Sequence, residues 1–171
     1  MRKILPPVEY LLACFSYNPS TGDMVWRHRP REHFVSKRSH TLWNARYSGT
    51  KVGYLVASGH LNTSINDSHF LLHRIIWKMM RAEEPPEIVD HKDRDPLNNK
   101  WHNLREATKA QNNVNALKKD RGVYFDPTRG KWEAAVKVNQ QKIHLGRHDT
   151  KARALAARAA GVRKYFGEFA P

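Results

Sequence analysis

Apolar positions recur every three to four residues in some stretches and alternate with polar ones in others, which predicts a mixed chain. Val8, Leu11, Leu12 and Phe15 follow Pro6-Pro7 and read as a short helix over Pro7 to Phe15. Asn18-Pro19-Ser20-Thr21-Gly22-Asp23 is a turn, and Met24 to Trp26 a strand. Lys51 to Val56 and Leu61 to Ile65 alternate around Ser58-Gly59 and predict a hairpin; Asn66-Asp67 is a further turn. From Phe70 to Arg81, Leu71, Leu72, Ile75, Ile76, Met79 and Met80 form the i, i+4 stripe of a buried helix, which Pro85-Pro86 ends. Arg27 to Arg46 shows little periodicity. It reads as a basic loop that either follows a polyanion or is simply solvated, with Trp43 as an anchor.

The stretch 88–115 organises the rest. Ile88-Val89 begins a short strand that runs into Asp90-His91, and a polar loop with Pro96 and Asn98-Asn99 follows. Trp101 to Leu104 reads as a second strand, and Thr108 as the N-cap of a helix carrying Asn112. In the tail, Gly122 to Phe125, Lys131 to Val138 and Gln141 to Leu145 read as three strands. Thr150 caps a helix from Lys151 to about Phe166 whose Ala-rich face suits close packing on a sheet. Trp132, Ala134, Val136 and Val138 then face that helix, and Lys131, Glu133, Ala135 and Lys137 face away, on a basic, bare surface.

Charge narrows the classes. The 171 residues carry 30 Lys+Arg against 16 Asp+Glu, a net +14. Residues 116–171 hold 13 against 5, so the tail is the denser part for its length. Such an excess predicts a polyanionic partner, nucleic acid before membrane. One cysteine, Cys14, excludes an intrachain disulfide and a four-cysteine zinc ribbon. No apolar run reaches the length of a membrane span, and Met1 to Pro7 does not read as a signal peptide, so an intracellular protein is expected.

Strand, loop, strand and helix can gather Asp90, His91, Asn103 and Asn112. Asp90 and Asn112 offer hard oxygen ligands to Mg²⁺. His91 can take a proton from water. Asn103 can tie the loop to the second strand. A solvated loop with a chance Asp-His pair is the plain alternative. His73, on the stripe helix, is more often a structural histidine than a ligand, and Arg74 can reach a phosphate or an acid of the core.

Asp90-His91, Asn98-Asn99, Asn103-Leu104-Arg105 and Gln111-Asn112, with His73-Arg74-Ile75-Ile76-Trp77 upstream, resemble the HNH endonucleases of the ββα-metal fold, in their phage homing-type branch. The resemblance implies His91 as general base, Asp90 and Asn112 as metal ligands, Asn103 as the brace of the loop, and Arg74 and Arg105 as DNA contacts. It implies Mg²⁺, or Mn²⁺, as cofactor. Some relatives carry zinc-binding cysteines; this chain does not, so no zinc is expected. Arg94 stands where relatives often have a turn glycine, and Asn98 where they often have Asp.

Arg121-Gly122-Val123-Tyr124, Gly130-Lys131-Trp132, Ala134-Ala135-Val136, His144-Leu145-Gly146 and Phe166-Gly167-Glu168-Phe169-Ala170 resemble the AP2 DNA-binding domain. That family lays its sheet in the major groove. The resemblance puts Arg121, Tyr124, Lys137, Lys142 and His144 on the DNA side; strand alternation adds Lys131, and the neighbouring turn Arg129. His144 replaces the family's tryptophan, so base preference does not carry over.

The expectation is an α+β chain: an HNH domain at 1–115, with its N-terminal hairpin and helix, and an AP2-like domain at 116–171, a three-stranded antiparallel sheet on one helix. It predicts a metal-dependent endonuclease of double-stranded DNA, site-preferring and strand-nicking. With no apolar stripe left over for a self-complementary interface, a monomer is expected. A phage-encoded protein would act in the host cytoplasm. The alternatives are a non-catalytic DNA-binding regulator with a relic nuclease core, and an RNA-binding or RNA-cutting protein using the same basic face.

Overall fold

The computed structural model describes residues 3–115 and 122–170. It is a mixed α+β structure that divides into two compact units, Met1–Glu106 and Ala107–Pro171.

In the first unit, helix α1 (Val8–Cys14) ends where Phe15 turns extended, and strand β1 (Phe15–Tyr17) pairs antiparallel with β2 (Met24–Trp26). The helix therefore stops one residue short of the predicted end, because Phe15 pairs with Trp26 as the first residue of a hairpin strand. The predicted loop at 27–46 is instead largely ordered. A 3₁₀ turn (Arg31–His33) leads to helix α2 (Lys37–Tyr47). Ser36 and Ser39 form a reciprocal capping box, with Ser39 N donating to Ser36 Oγ at 3.0 Å. The apolar pattern misses α2 because its inner face is aromatic and amide. Trp43 packs edge-on against Trp26, and buried Asn44 accepts from Arg29 N and donates to Arg29 O at 2.8 and 3.0 Å. The guanidinium of Arg29 then lies 4.9 Å from the rings of both Phe34 and Trp43.

Strands β3 (Tyr54–Leu55), β4 (Leu61–Ile65) and β5 (Ser68–Leu71) form an antiparallel sheet in the order β3-β4-β5. Asn66 and Asp67 take φ of 48° and 60°, the left-handed pair that a two-residue hairpin turn requires. The chain enters helix α3 (Leu72–Arg81) directly from β5, so Phe70 and Leu71, predicted as helix, are strand. α3 carries Leu72, Ile75 and Ile76 into the core with Leu11, Phe15 and Ile65, and ends on Ala82 at φ 57°. Strand β6 (Ile88–His91) pairs with β7 (Leu104–Ala107). Trp101–Asn103, predicted as strand, is a 3₁₀ turn feeding β7.

In the second unit, helix α4 (Lys109–Asn115) starts on Thr108 as predicted: Gln111 N donates to Thr108 Oγ1 and Thr108 N to Gln111 Oε1. The segment 116–121, which includes Arg121, lies outside the described residues. Strands β8 (Val123–Asp126), β9 (Lys131–Val138) and β10 (Gln141–His148) form an antiparallel sheet in the order β10-β9-β8. Helix α5 (Lys151–Phe166), capped by Thr150, packs on it. Val123, Ala134 and Ala154 make the small core with Trp132 and Leu145. Gly161 lets the helix come close, since a Cβ there would stand 2.5 Å from a Leu145 methyl.

β10 runs three residues beyond its predicted end because it bulges. Its register shifts between His144 and Arg147, with Gly146 at φ 105°. The shift sets Arg147 opposite Glu133, while Tyr124 faces Glu133 from β8. A row Tyr124–Glu133–Arg147 thus crosses all three strands.

Candidate active site

β6 ends in two buried polar residues with different partners, as alternation along a strand requires. Asp90 Oδ2 accepts from Arg105 Nε at 2.9 Å, and both side chains are buried. His91 Nε2 lies 3.3 Å from Asn99 Oδ1. Burial pushes the His91 imidazole below the usual histidine range, and nearby His60 adds to this. The Asn99 bond and the charges of Asp90 and Asp93 oppose it. The ring is therefore neutral at pH 7, the form that accepts a proton.

The loop from Lys92 to Asn103 is closed by Asn103. Its backbone carbonyl accepts from Lys92 N at 2.9 Å and its Oδ1 from Asp93 N at 3.1 Å. Its Nδ2 donates to Asp93 Oδ1 at 2.9 Å and to Asn98 O at 2.8 Å. Asn98 Nδ2 donates to Asp93 Oδ2 at 2.6 Å. Partial burial raises the Asp93 carboxyl, but donors from Asp95, Asn98 and Asn103 win and hold it below the usual range. Arg94 sits at φ 68°, a conformation that a glycine adopts without strain.

The N-terminal hairpin clamps the far side of this loop. Tyr17 Oη donates to Asn99 O at 2.8 Å and Trp101 N to Pro19 O at 3.0 Å. Gly22, at φ 81°, lies so close that a Cβ would stand 2.7 Å from Lys100 N and 2.8 Å from Asn99 C. The turn thereby fixes the backbone that presents Asn99 to His91.

Two further histidines surround His91. Ring centroids lie 5.2 Å apart for His73 and His91, 5.7 Å for His60 and His91, and 5.1 Å for His60 and His73. One ligand nitrogen from each falls within 4.8 Å of the others. His73 is deeply buried, which with the neighbouring imidazoles pushes its pKa down to about 3. The sequence carried a signal for His73, next to Arg74, but none for His60, which β4 delivers from a turn thirteen residues upstream.

Arg74 donates to Pro86 O at 3.1 Å and to Pro85 O at 3.3 Å, bracing the entry to β6. Arg105 is spent on Asp90. Asn112 lies on α4, half-buried, in the second unit.

On the sheet of the second unit, Glu133 gathers two of the predicted residues, Tyr124 and His144, together with Arg147. Tyr124 Oη donates to it, Arg147 Nε donates at 2.8 Å, and His144 Nε2 lies 3.6 Å away. Lys142 donates to Tyr124 Oη and stands 4.5 Å over its ring. The Tyr124 and Arg147 bonds pull the Glu133 carboxyl down to about 2. The face is therefore not bare: Glu133 and Ala135 are buried, Glu133 beneath its neighbours' side chains. Arg129 pairs with Asp126 at 3.0 Å, Lys131 with Asp149, and Lys137 is exposed. The pairing of Arg147 with Glu133 escaped the sequence reading, because it depends on the β10 bulge.

Residues 70–114 match the family model described as HNH endonuclease. The match spans α3, β6, the braced loop, β7 and most of α4. It supports a nuclease that acts on DNA. No curated protein and no solved structure gives a significant match to the chain. Among the described residues no helix is long and apolar enough to cross a membrane.

Proposed function

We propose that this protein is a metal-dependent endonuclease of duplex DNA, of the homing type, which works as a monomer and nicks one strand at a preferred site. The observation that carries the reading is the placement of His91. Inside the HNH match, a neutral, buried imidazole is oriented by Asn99 on a loop that Asn103 closes.

His91 takes the proton from the attacking water. Asn99 and the clamp behind it keep the ring oriented, and Arg105 keeps the Asp90 carboxylate fixed. By resemblance, Asp90 and Asn112 would hold the metal, and a carboxylate and an amide oxygen are donors of the kind that suits Mg²⁺ or Mn²⁺. When bound, the ion would polarise the phosphodiester and stabilise charge on the leaving oxygen. Arg74 and Arg105 serve better as positioning residues than as DNA contacts, since Arg105 is buried against Asp90 and the half-buried Arg74 is tied to the Pro85 and Pro86 carbonyls.

The second unit serves as an AP2-type DNA-binding module, with Tyr124, Lys137, Lys142 and His144 on its DNA face, Arg129 and Lys131 at its margin, and Arg121 by resemblance. Three antiparallel strands on one helix and the basic side chains on that sheet support this reading.

The test is supercoiled plasmid with the full chain and Mg²⁺. Open circles should form before linear molecules. His91→Ala should lower cleavage by about 10²-fold or more while duplex binding stays within a few-fold. Near-normal cutting by that variant would refute the assignment of the base.

A further inference from the structure

His60, His73 and His91 reach one point from three separate elements: the turn before β4, helix α3 and the end of β6. His73 and His91 are buried and His60 is half-buried, so the cluster is built into the unit and is not a chance meeting of surface rings. The geometry points to a three-imidazole site for a divalent transition metal, with Zn²⁺ as its simplest probe.

Three features favour this occupant. First, three imidazole nitrogens within 4.8 Å form a donor set that suits Zn²⁺, Cu²⁺ or Ni²⁺ and not Mg²⁺. Tetrahedral Zn–N bonds of about 2.0–2.1 Å bring such nitrogens to roughly 3.3 Å apart, so small ring movements close the site. Second, oxygen acceptors stand where a metal-bound histidine needs them. His60 Nδ1 lies 3.1 Å from both Ser58 O and Ser58 Oγ, and His91 Nε2 lies 3.3 Å from Asn99 Oδ1. Bound histidines ordinarily donate their second N–H to oxygens of this kind, which fixes the tautomer that coordinates. Third, the set excludes Asp90, whose carboxylate faces Arg105 instead. The site is therefore distinct in its ligands from the oxygen site proposed for Mg²⁺.

His91 belongs to both arrangements. A lone pair given to Zn²⁺ cannot take a proton from water, so an occupied cluster switches the base off. This consequence rests on the nuclease reading; the binding itself does not. Zn²⁺ would then suppress Mg²⁺-supported cleavage without displacing Mg²⁺.

Binding is read without cleavage, by calorimetric titration of the full chain with Zn²⁺ in excess Mg²⁺ and by the visible spectrum of the Co²⁺ form. Wild type should take up one Zn²⁺ and show the intense Co²⁺ bands of a low-coordinate nitrogen site. His60→Ala, at the half-exposed position, should keep the far-UV circular dichroism and lose at least about 10-fold in affinity. Isosteric Asp90→Asn should retain binding. Wild type that binds Zn²⁺ no better than His60→Ala would overturn the site. So would binding lost in Asp90→Asn and kept in His60→Ala. Full Mg²⁺-supported cutting at saturating Zn²⁺ would overturn the switch. Intact Zn²⁺ binding with no cutting under any Mg²⁺ condition would uphold the site and refute the nuclease reading instead.

Discussion

The two compact units differ in how many of their charged side chains are buried. The first buries several, Asp90 against Arg105, Arg29 among aromatic rings and Lys78 on Leu5 O, and leaves its Lys51–Asp23 pair exposed. The second buries the Glu133 carboxylate beside Tyr124 and Arg147, and in its other ion pairs leaves Arg129, Lys131 and Arg153 well exposed. Buried charges hold a geometry and cost a great deal to disturb. Surface charges add little to stability and remain available to a polyanion. Under the proposed function, the first unit would position a reaction and the second would grip a backbone.

The sharpest way to break the comparison is to cut one pair in each unit. Asp90→Ala removes the carboxylate that faces Arg105 inside the protein and should destabilise the first unit by about 3–5 kcal/mol in a denaturant titration. Lys131→Ala removes an exposed pair and should cost under about 1 kcal/mol. Equal costs would mean that burial does not govern these pairs.

Acid should separate the units next. The His73 imidazole titrates near 6.5 when unfolded and at about 3 when folded. Between those values the unfolded chain binds the extra proton, so stability is full above pH 6.5 and falls as pH drops. From pH 6.5 to 5 this amounts to about 2 kcal/mol. Glu133, depressed from 4.5 to about 2, contributes stability that is lost only as pH falls below 4.5. Hydrogen exchange at pH 7 and pH 5, corrected for intrinsic rates, should show α3 and β6 losing protection while β9 keeps its own. A parallel loss in both would contradict the assignment.

A smaller effect tests the clamp. Gly22→Ala places a methyl against the backbone of Asn99 and Lys100 and strains a positive φ. It should cost at least about 1–2 kcal/mol, from the positive φ alone, and slow plasmid nicking through the displaced Asn99. Unchanged nicking would detach the hairpin from the site. Smallest of all, Arg94→Gly should stabilise the first unit by up to about 1 kcal/mol, since a residue at φ 68° gains from losing its Cβ. A melting point that falls would show that the arginine side chain outweighs the strain.

Much of this architecture is legible in the chain. The stripe of α3 and the Thr108 and Thr150 caps all depend on neighbours in sequence, and each of these predicted features forms. Asp90-His91 and Asn103 also stand out, because their spacing is local. What escapes is contact across long separations. α2 lacks an apolar stripe and is held by Trp43 and Asn44 against distant residues. The partnership of Arg105 with Asp90, the hold of the hairpin on Asn99 and the approach of His60 to His91 all bridge elements whose spacing encodes nothing about their meeting. Glu133 was read as one face residue among lysines, since a single bulged position decides what stands opposite it.

Asn139 and Gln140 take φ of 46° and 67° and join two eight-residue strands, β9 and β10. That turn has a kinetic meaning. A hairpin that closes through two residues forms in roughly 1–10 μs, with little loop entropy to overcome. Residues 131–148 can therefore zip before α5 docks. The helix then docks on a sheet already twisted and in register, and the folding rate of this unit should answer to changes at Asn139 and Gln140 more than to changes in α5.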